Sequence, residues 1–364
     1  MSHKTNSTVS QKPRVRKKAG RHTGRSNHKT LVSKCQRLLG GRVSSIQYPG
    51  GRSRQSFRVL LEDGLSVIAS IRENHFHAKT EGTVLQTLSS QGSLVPRFIA
   101  SDGRAMLIQE EIHGERLSQA LHAQEESRVE RLLDAALTSL SSIHLAGSKS
   151  GWDQTFPTLG NTHEWMVGLL DRPAIIGRFY NIPAPRPKLS QLETFLSVRK
   201  PRFIKWDSRP GNAMVTKDDR VYWFDWEHCG VRNRLDDMVW LLADEYVAGY
   251  PAVEERLLAN HLPHFADDLP YEKALHYFYA YGVFHLTVRL GLICRYKEDK
   301  PWWDYEYCLS RDKVGVTLQS ALYTCEKGSR WAIQNPYTEA LGPWFTKIAT
   351  HLRELPTQIS EKSL

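Results

Sequence analysis

An aspartate and an asparagine stand five residues apart in KWDSRPGNAMV, Lys205 to Val215, and a second aspartate, Asp225, follows the next apolar stretch. Alone, Asp207 and Asn212 suit any turn, because Asp and Asn side chains satisfy nearby backbone groups. The alternating residues on either side of Lys217-Asp218-Asp219 predict a hairpin. With its turn centred between Asp218 and Asp219, Asn212 falls opposite Asp225, and Asp207 is a short loop away. An amide oxygen and a carboxylate so placed suit Mg²⁺, which takes one or two protein carboxylates and fills its octahedron with water and substrate phosphates. Asp207 is then positioned to accept the proton of an incoming hydroxyl.

Two other groups point towards phosphate. Glu81 shares a helical face with Val84, Leu85 and Leu88, so it sits at the edge of the inward face. A buried acid requires a cation. Arg72, closing the preceding strand, fits, and an Arg-Glu pair there would fix a guanidinium towards phosphates. A surface Glu favoured by the helix dipole fits the same residues. The turn Pro49-Gly50-Gly51-Arg52-Ser53 would let backbone amides approach a phosphate, with Arg52 adding charge. Taken alone it reads as an ordinary hairpin turn, for it has neither G-x-x-x-x-G-K-[ST] nor a full G-x-G-x-x-G.

The elements that must carry these residues follow from periodicity. A short helix near Leu31 to Leu39 precedes strands Val43 to Tyr48, Ser56 to Leu61 and Leu65 to Arg72, with hairpin signals at Pro49-Gly50-Gly51 and Glu62-Asp63-Gly64. A helix over Ala78 to Ser90 and strands Arg97 to Ala100 and Ala105 to Ile112 complete a small antiparallel sheet with one embedded helix. From Leu117 the pattern is mainly helical, and Val129 to Ile143 keeps a helical period until Gly147 stops it.

A chain of 364 residues, 40% hydrophobic, can bury a large core and suggests two lobes. Residues 1–30 hold five Lys, four Arg and no acid, so +9 of the formal +10 lies there. That tail has almost no apolar residues and is expected to be disordered, either as a solvated extension or as a tether to nucleic acid or another anionic surface. No segment is long and apolar enough to cross a bilayer, since the stretch Tyr281 to Cys294 is interrupted by His285 and Arg289. Five widely spaced cysteines without a zinc pattern suggest reduced thiols in a cytoplasmic protein.

The order of these features resembles the aminoglycoside phosphotransferase and choline kinase family. VYWFDWEHCG, Val221 to Gly230, and RLDDMVWLL, Arg234 to Leu242, are similar to its I-D-W-E-x-A and D-P-x-x-D-L-A segments. IQEEIHGERL resembles the family hinge and its following glycine, and SSIHLAG around His144 resembles its L-x-x-L-H helix end. The resemblance covers roughly Val43 to Tyr246; the last third matches only in being helical. It implies an α+β, bilobal protein-kinase-like fold: the basic tail 1–30, a nucleotide-binding lobe 31–112, and a helical lobe 113–364 with the catalytic loop and acceptor site.

The resemblance also implies roles. Asp207 is the catalytic base, Asn212 and Asp225 hold Mg²⁺, and Arg72, paired with Glu81, contacts the phosphates of ATP or GTP. Gly50, Gly51, Arg52 and Ser53 cover the nucleotide, while backbone groups near Glu110 and Ile112 bind the adenine. Asp237 braces the catalytic loop, with Asp236 readable as an exposed helix-start acid. Glu227 orients the metal site or is structural, and His144 is structural. The implied reaction moves the γ-phosphoryl group to a hydroxyl of a small alcohol, aminoalcohol or sugar.

One place departs from the family pattern, which opens the catalytic loop with H-G-D where this chain has Lys205-Trp206-Asp207. The lysine either changes the packing beneath Asp225 or depresses the pKa of Asp207. EDKPWWDYEY, Glu298 to Tyr307, combines acids and aromatic rings that suit a cationic amine or sugar, or else pack a surface connection. Two other classes remain open: a degenerate pseudokinase that binds nucleotide without transfer, and a nucleic-acid-binding protein acting through its tail.

Overall fold

The computed structural model describes residues 24–51, 54–247 and 249–355. Arg52, Ser53 and the tail up to residue 23 lie outside the described residues. Helix α1, Gly24–Leu39, begins within the segment expected to lack order. Leu31, Cys35, Leu38 and Leu39 anchor it on the sheet. Once that turn is nucleated, each residue added at its N-terminus gains a hydrogen bond without a new nucleation cost.

Strands β1 (Val43–Gln47), β2 (Ser56–Leu61) and β3 (Ser66–Ile71) are followed by α2 (His75–Ser90), β4 (Phe98–Ser101) and β5 (Met106–Glu110). They form one antiparallel sheet in the order β1-β2-β3-β5-β4. Alternation divides its faces. Phe57, Val59, Val67, Ala69, Met106 and Ile108 pack with α1, whereas Leu107 joins Val84, Leu85 and Leu88 of α2 in the larger core. The edge of α2 that carries Glu81 therefore faces inward.

After β6 (Glu115–Arg116) and α3 (Leu117–Ala120), helices dominate. Helix α4, Glu126–Lys149, runs past Gly147, which is buried and does not end it. A Cβ at Gly147 would collide with the ring of Phe203, so this glycine permits close helix-strand approach. Phe203 belongs to β7 (Arg202–Ile204), which pairs with β10 (Gly230–Arg232), setting Ile204 opposite Gly230. Between them, β8 (Ala213–Val215) and β9 (Val221–Trp223) form the expected hairpin. The loops after β7 and after β9 thus emerge side by side.

The hairpin register differs by one residue from the sequence expectation. Ala213 pairs with Trp223, and Phe224 N donates to Asn212 O at 3.1 Å, so Asn212 faces Phe224 rather than Asp225. The cause is a three-residue loop, Lys217 to Asp219, closed between Thr216 and Arg220, with Asp219 left-handed at φ +60°. Its centre is Asp218.

Trp206 and Asp207 are both left-handed, at φ +54°, a costly state for residues other than glycine. Asp237, in the first turn of the helix Leu235–Leu242, holds that bend. Its Oδ2 accepts from Lys205 N at 2.7 Å and from His144 Nε2 at 2.7 Å. Its Oδ1 accepts from Trp206 N at 2.8 Å and Ser208 Oγ at 3.0 Å. An amide at this position has one acceptor oxygen, so at least one buried donor would lose its partner. Asp237→Asn should lower unfolding free energy by about 3 kcal/mol, seen as an earlier denaturant midpoint at unchanged slope.

A second carboxylate ties α1 to the sheet. Asp102 Oδ1 accepts from the amides of Arg104, Ala105 and Met106 at 2.9, 3.0 and 2.9 Å, and Lys34 pairs with Oδ2. Burial opposes its charge, but Lys34 and the turn amides outweigh that and lower its pKa from 3.8 to about 2. The carboxylate therefore adds stability above pH 3.8, and this is lost as pH falls through about 2. Asp102→Asn should cost about 2 kcal/mol at pH 7, a difference that shrinks as pH falls from 3.8 through about 2 in parallel acid titrations.

Candidate functional site

Arg72 closes β3 and is almost fully buried. Its Nε and Nη2 form a bidentate pair with Glu81 at 2.7 and 2.8 Å. Nη2 also reaches Asp225 Oδ1 at 2.9 Å, and Nη1 reaches Glu227 Oε1 at 3.0 Å. Four of the five guanidinium N–H donors are thus taken by carboxylates. Burial opposes the charge on Arg72, but Glu81, Asp225 and Glu227 prevail and raise its pKa. The Arg-Glu pairing anticipated from the helical face is present. Glu227 attaches to Arg72, and the surface reading of Glu81, 1% exposed, is excluded.

Asp225 follows β9 in a left-handed bend at φ +64°. Burial opposes its charge, yet Arg72, Lys205, His228 and Arg209 together lower its pKa, so the carboxylate is ionised. Across from it, Asp207 has both carboxylate oxygens engaged: Oδ1 by Arg209 Nε at 2.9 Å and Oδ2 by Asn212 Nδ2 at 2.9 Å. Asn212 Nδ2 also donates to the Asp207 carbonyl at 2.9 Å. These donations orient the amide, and among the described residues nothing in the chain bonds to Asn212 Oδ1 or Asp225 Oδ2. Two hard oxygens, one anionic, fit Mg²⁺ completed by water and phosphates. No group of three or more His, Cys, Asp or Glu that could hold a metal occurs among the described residues.

Lys205 links the two loops. Its side chain is fully buried, and Nζ donates to the carbonyls of Asp225 at 3.0 Å and Asp207 at 3.4 Å. The ring centroids of Trp226 and Trp223 lie 5.2 and 5.9 Å from Nζ. Lys205 thus packs beneath Asp225, one of the two effects considered for it. His144 is neutral, because burial lowers its pKa despite Asp237, and its Nε2–H donates to that carboxylate. Asp236, one reading of which was an exposed acid, is fully buried between Arg232 and the Tyr277 hydroxyl, which donates at 2.8 Å.

The glycine turn closes at Gly51 N to Tyr48 O, 2.9 Å, with Gly51 left-handed at φ +91°. Arg54 just beyond it donates to the carbonyls of Arg311 and Asp312 at 2.8 and 2.6 Å. Glu110 ends β5 with its side chain on Arg97 N at 3.1 Å. Beyond it the chain leaves the sheet, and no backbone hydrogen bond of Ile112 within the chain occurs among the described residues.

Sequence reasoning missed Arg209, Arg116 and Asp312. Asp312 is bracketed by Arg54 and Arg116, each 3.4 Å from Oδ2, and a Cβ on Gly211 would collide with its carboxylate. Arg209 stood inside the quoted loop, two residues after Asp207, and that adjacency was the signal available. The aromatic cluster 298–307 is largely satisfied internally. Lys313 lies over the rings of Trp303 and Tyr307 at 5.5 and 5.2 Å, Arg311 over Tyr307 at 5.1 Å and Lys297 over Trp302 at 5.0 Å. Asp304 caps a short helix. The five cysteines are buried free thiols, and no described helix is long and apolar enough to cross a membrane.

Residues 45–271, more than half of the 364-residue chain, match the phosphotransferase enzyme family. No curated protein matches. Among solved structures the chain is similar to the amicoumacin kinase hAmiN, at 14% identity and TM-score 0.56, over 90% of this chain and 100% of that one. It is also similar to spectinomycin phosphotransferase APH(9)-Ia, at 13% identity and TM-score 0.50, covering 90% and 98%. A choline kinase, LicA from Streptococcus pneumoniae, aligns at 15% identity and TM-score 0.46 over 82% and 100%. The mixed architecture, an antiparallel sheet joined to a helical lobe, is thus the kinase-like fold of these proteins, and the chain belongs to the phosphotransferase enzyme family.

Proposed function

We propose that this protein moves the γ-phosphoryl group of ATP to a hydroxyl of a small molecule. What supports the reading most is one continuous set of contacts, Glu81-Arg72-Asp225-Lys205-Asp207-Asn212, that joins two buried cations, three carboxylates and an oriented amide across the sheet and the helical lobe. Residues 31–112 would serve the nucleotide and 113–364 the chemistry and acceptor. The hAmiN structure contains AMP-PNP and Ca²⁺, and the APH(9)-Ia structure ADP and spectinomycin, which favours a nucleotide in the corresponding cleft here.

In this reading Asp207 accepts the acceptor's hydroxyl proton on a carboxylate oxygen as that hydroxyl oxygen attacks the γ-phosphorus. The bond from phosphorus to the β–γ bridging oxygen breaks, and ADP leaves with that electron pair. Asn212 and Asp225 would hold Mg²⁺, which when bound offsets charge on the phosphate oxygens. Arg72 contributes its field and its one remaining N–H donor. Gly50 and Gly51, with Arg52 and Ser53, would cover the phosphates, and backbone groups near Glu110 and Ile112 would take the adenine.

The test is to incubate the protein with ATP, Mg²⁺ and a panel of aminoglycosides, aminoalcohols and sugars, following phosphorylated products by mass. Asp207→Asn should lower turnover by about 10²-fold or more while the ATP dissociation constant changes by less than about threefold. Nucleotide binding without product, in wild type and variant alike, would instead support a binding module for the acceptors tried.

A further inference from the structure

We propose that Lys205 is a positioning residue that sets the separation of Asp207 and Asp225, an inference that rests on the phosphotransferase reading above. Its ammonium is fully buried. Burying an ammonium is costly unless its donors and charge find partners. It makes no direct ion pair among the described residues: its near partners are two carbonyls and the faces of two indoles, while the Asp207, Asp225 and Asp237 carboxylates favour its charge from farther away. The position is therefore poorly explained as an ordinary buried ion pair.

The identity of the two carbonyls carries the inference. They belong to Asp207 and Asp225, both held in left-handed bends, at φ +54° and +64°. Among the described residues, Lys205 is the one group that hydrogen-bonds to both. Arg72 reaches only Asp225, whereas Arg209 and Asn212 reach only Asp207. The backbone N–H of the same lysine is on Asp237, so the residue is fixed at both ends. An ammonium has three donors and no acceptor, which lets one flexible side chain tie two carbonyls without competing for the metal's oxygens.

Misplacing reacting groups by about 1 Å can cost on the order of 10²-fold in rate. The experiment uses the full chain, with water as acceptor, so that release of inorganic phosphate from ATP needs no knowledge of the natural substrate. Lys205→Met keeps the length and removes the donors; Lys205→Gln returns a donor without the charge. Lys205→Met should lower phosphate release by about 30-fold and raise the Mg²⁺ concentration for half-maximal rate by about tenfold, with KM for ATP changed less than about threefold. Lys205→Gln should recover about a third or more of the lost rate on a logarithmic scale.

A second readout needs no turnover. The rise in melting temperature that Mg²⁺ adds to ADP-bound protein should shrink in Lys205→Met, while the rise from ADP alone persists. Wild-type turnover matched by Lys205→Met, with equal Mg²⁺ dependence, would overturn the proposal. So would parallel loss of folding and ADP binding in both variants, which would make Lys205 a core residue alone. Wild-type protein that binds ADP and Mg²⁺ without releasing phosphate speaks against the phosphotransferase reading, yet the Mg²⁺-dependent melting shift still decides the role of Lys205.

Discussion

A single buried carboxylate, Asp237, sets the geometry on which the rest of the candidate site depends. Two consecutive left-handed residues, Trp206 and Asp207, are an unfavourable local choice for a chain without glycine there. Four donors converge on the two oxygens of Asp237, three of them from Lys205, Trp206 and Ser208 in the same loop. Net hydrogen bonds of about 1 kcal/mol each, stronger to a charged acceptor, are enough to offset strain of 1–3 kcal/mol per residue. His144 contributes by remaining neutral, so that it donates without adding a further full charge to the core.

Around that anchor the charges form an alternating arrangement. Arg72 faces three carboxylates, and two of these, Glu81 and Glu227, have no place in the proposed chemistry beyond holding it. Burial pushes the Glu81 carboxyl up, to about 7, against the pull of Arg72. The bidentate geometry and the Trp226 amide, 3.2 Å from Glu81, favour the ionised form at that position. Asp225 is held low by cations on several sides.

Periodicity made the sheet and α2 legible: Ser56–Leu61 has the expected ends, and the inward edge of α2 revealed both Glu81 and its need for Arg72. The hairpin register was not legible, because it turned on whether Asp219 adopts a left-handed conformation, which Asp tolerates but does not announce. The helical state of Gly24 to Thr30 was missed for a different reason. Local composition favoured disorder, while Leu31 and Cys35 of the same helix pack against the sheet. Aromatic faces near Trp303 and Tyr307 suggested a cation site. The cations that occupy them, Lys313 and Arg311, come from a few residues downstream in the same chain.

The contacts made by Asp312 show why the two sides of the cleft cannot be treated separately. Arg54, from the sheet side of the glycine turn, and Arg116, beside the loop that carries Asp207 and Asn212, both face its carboxylate, and Arg116 also donates to the Gly211 carbonyl. Gly211 lies one residue before Asn212, and its missing side chain is what admits Asp312. Lys313, next in sequence, has its carbonyl held by the Tyr246 hydroxyl at 2.8 Å, while Gly315 N reaches Glu245 at 3.0 Å. A shift of segment 311–315 would therefore be felt by the glycine turn through Arg54 and by Asn212 through Gly211. Segment 311–315, outside the residues 45–271 that match the family, thus contacts both Arg54 beyond the glycine turn and Gly211 before Asn212.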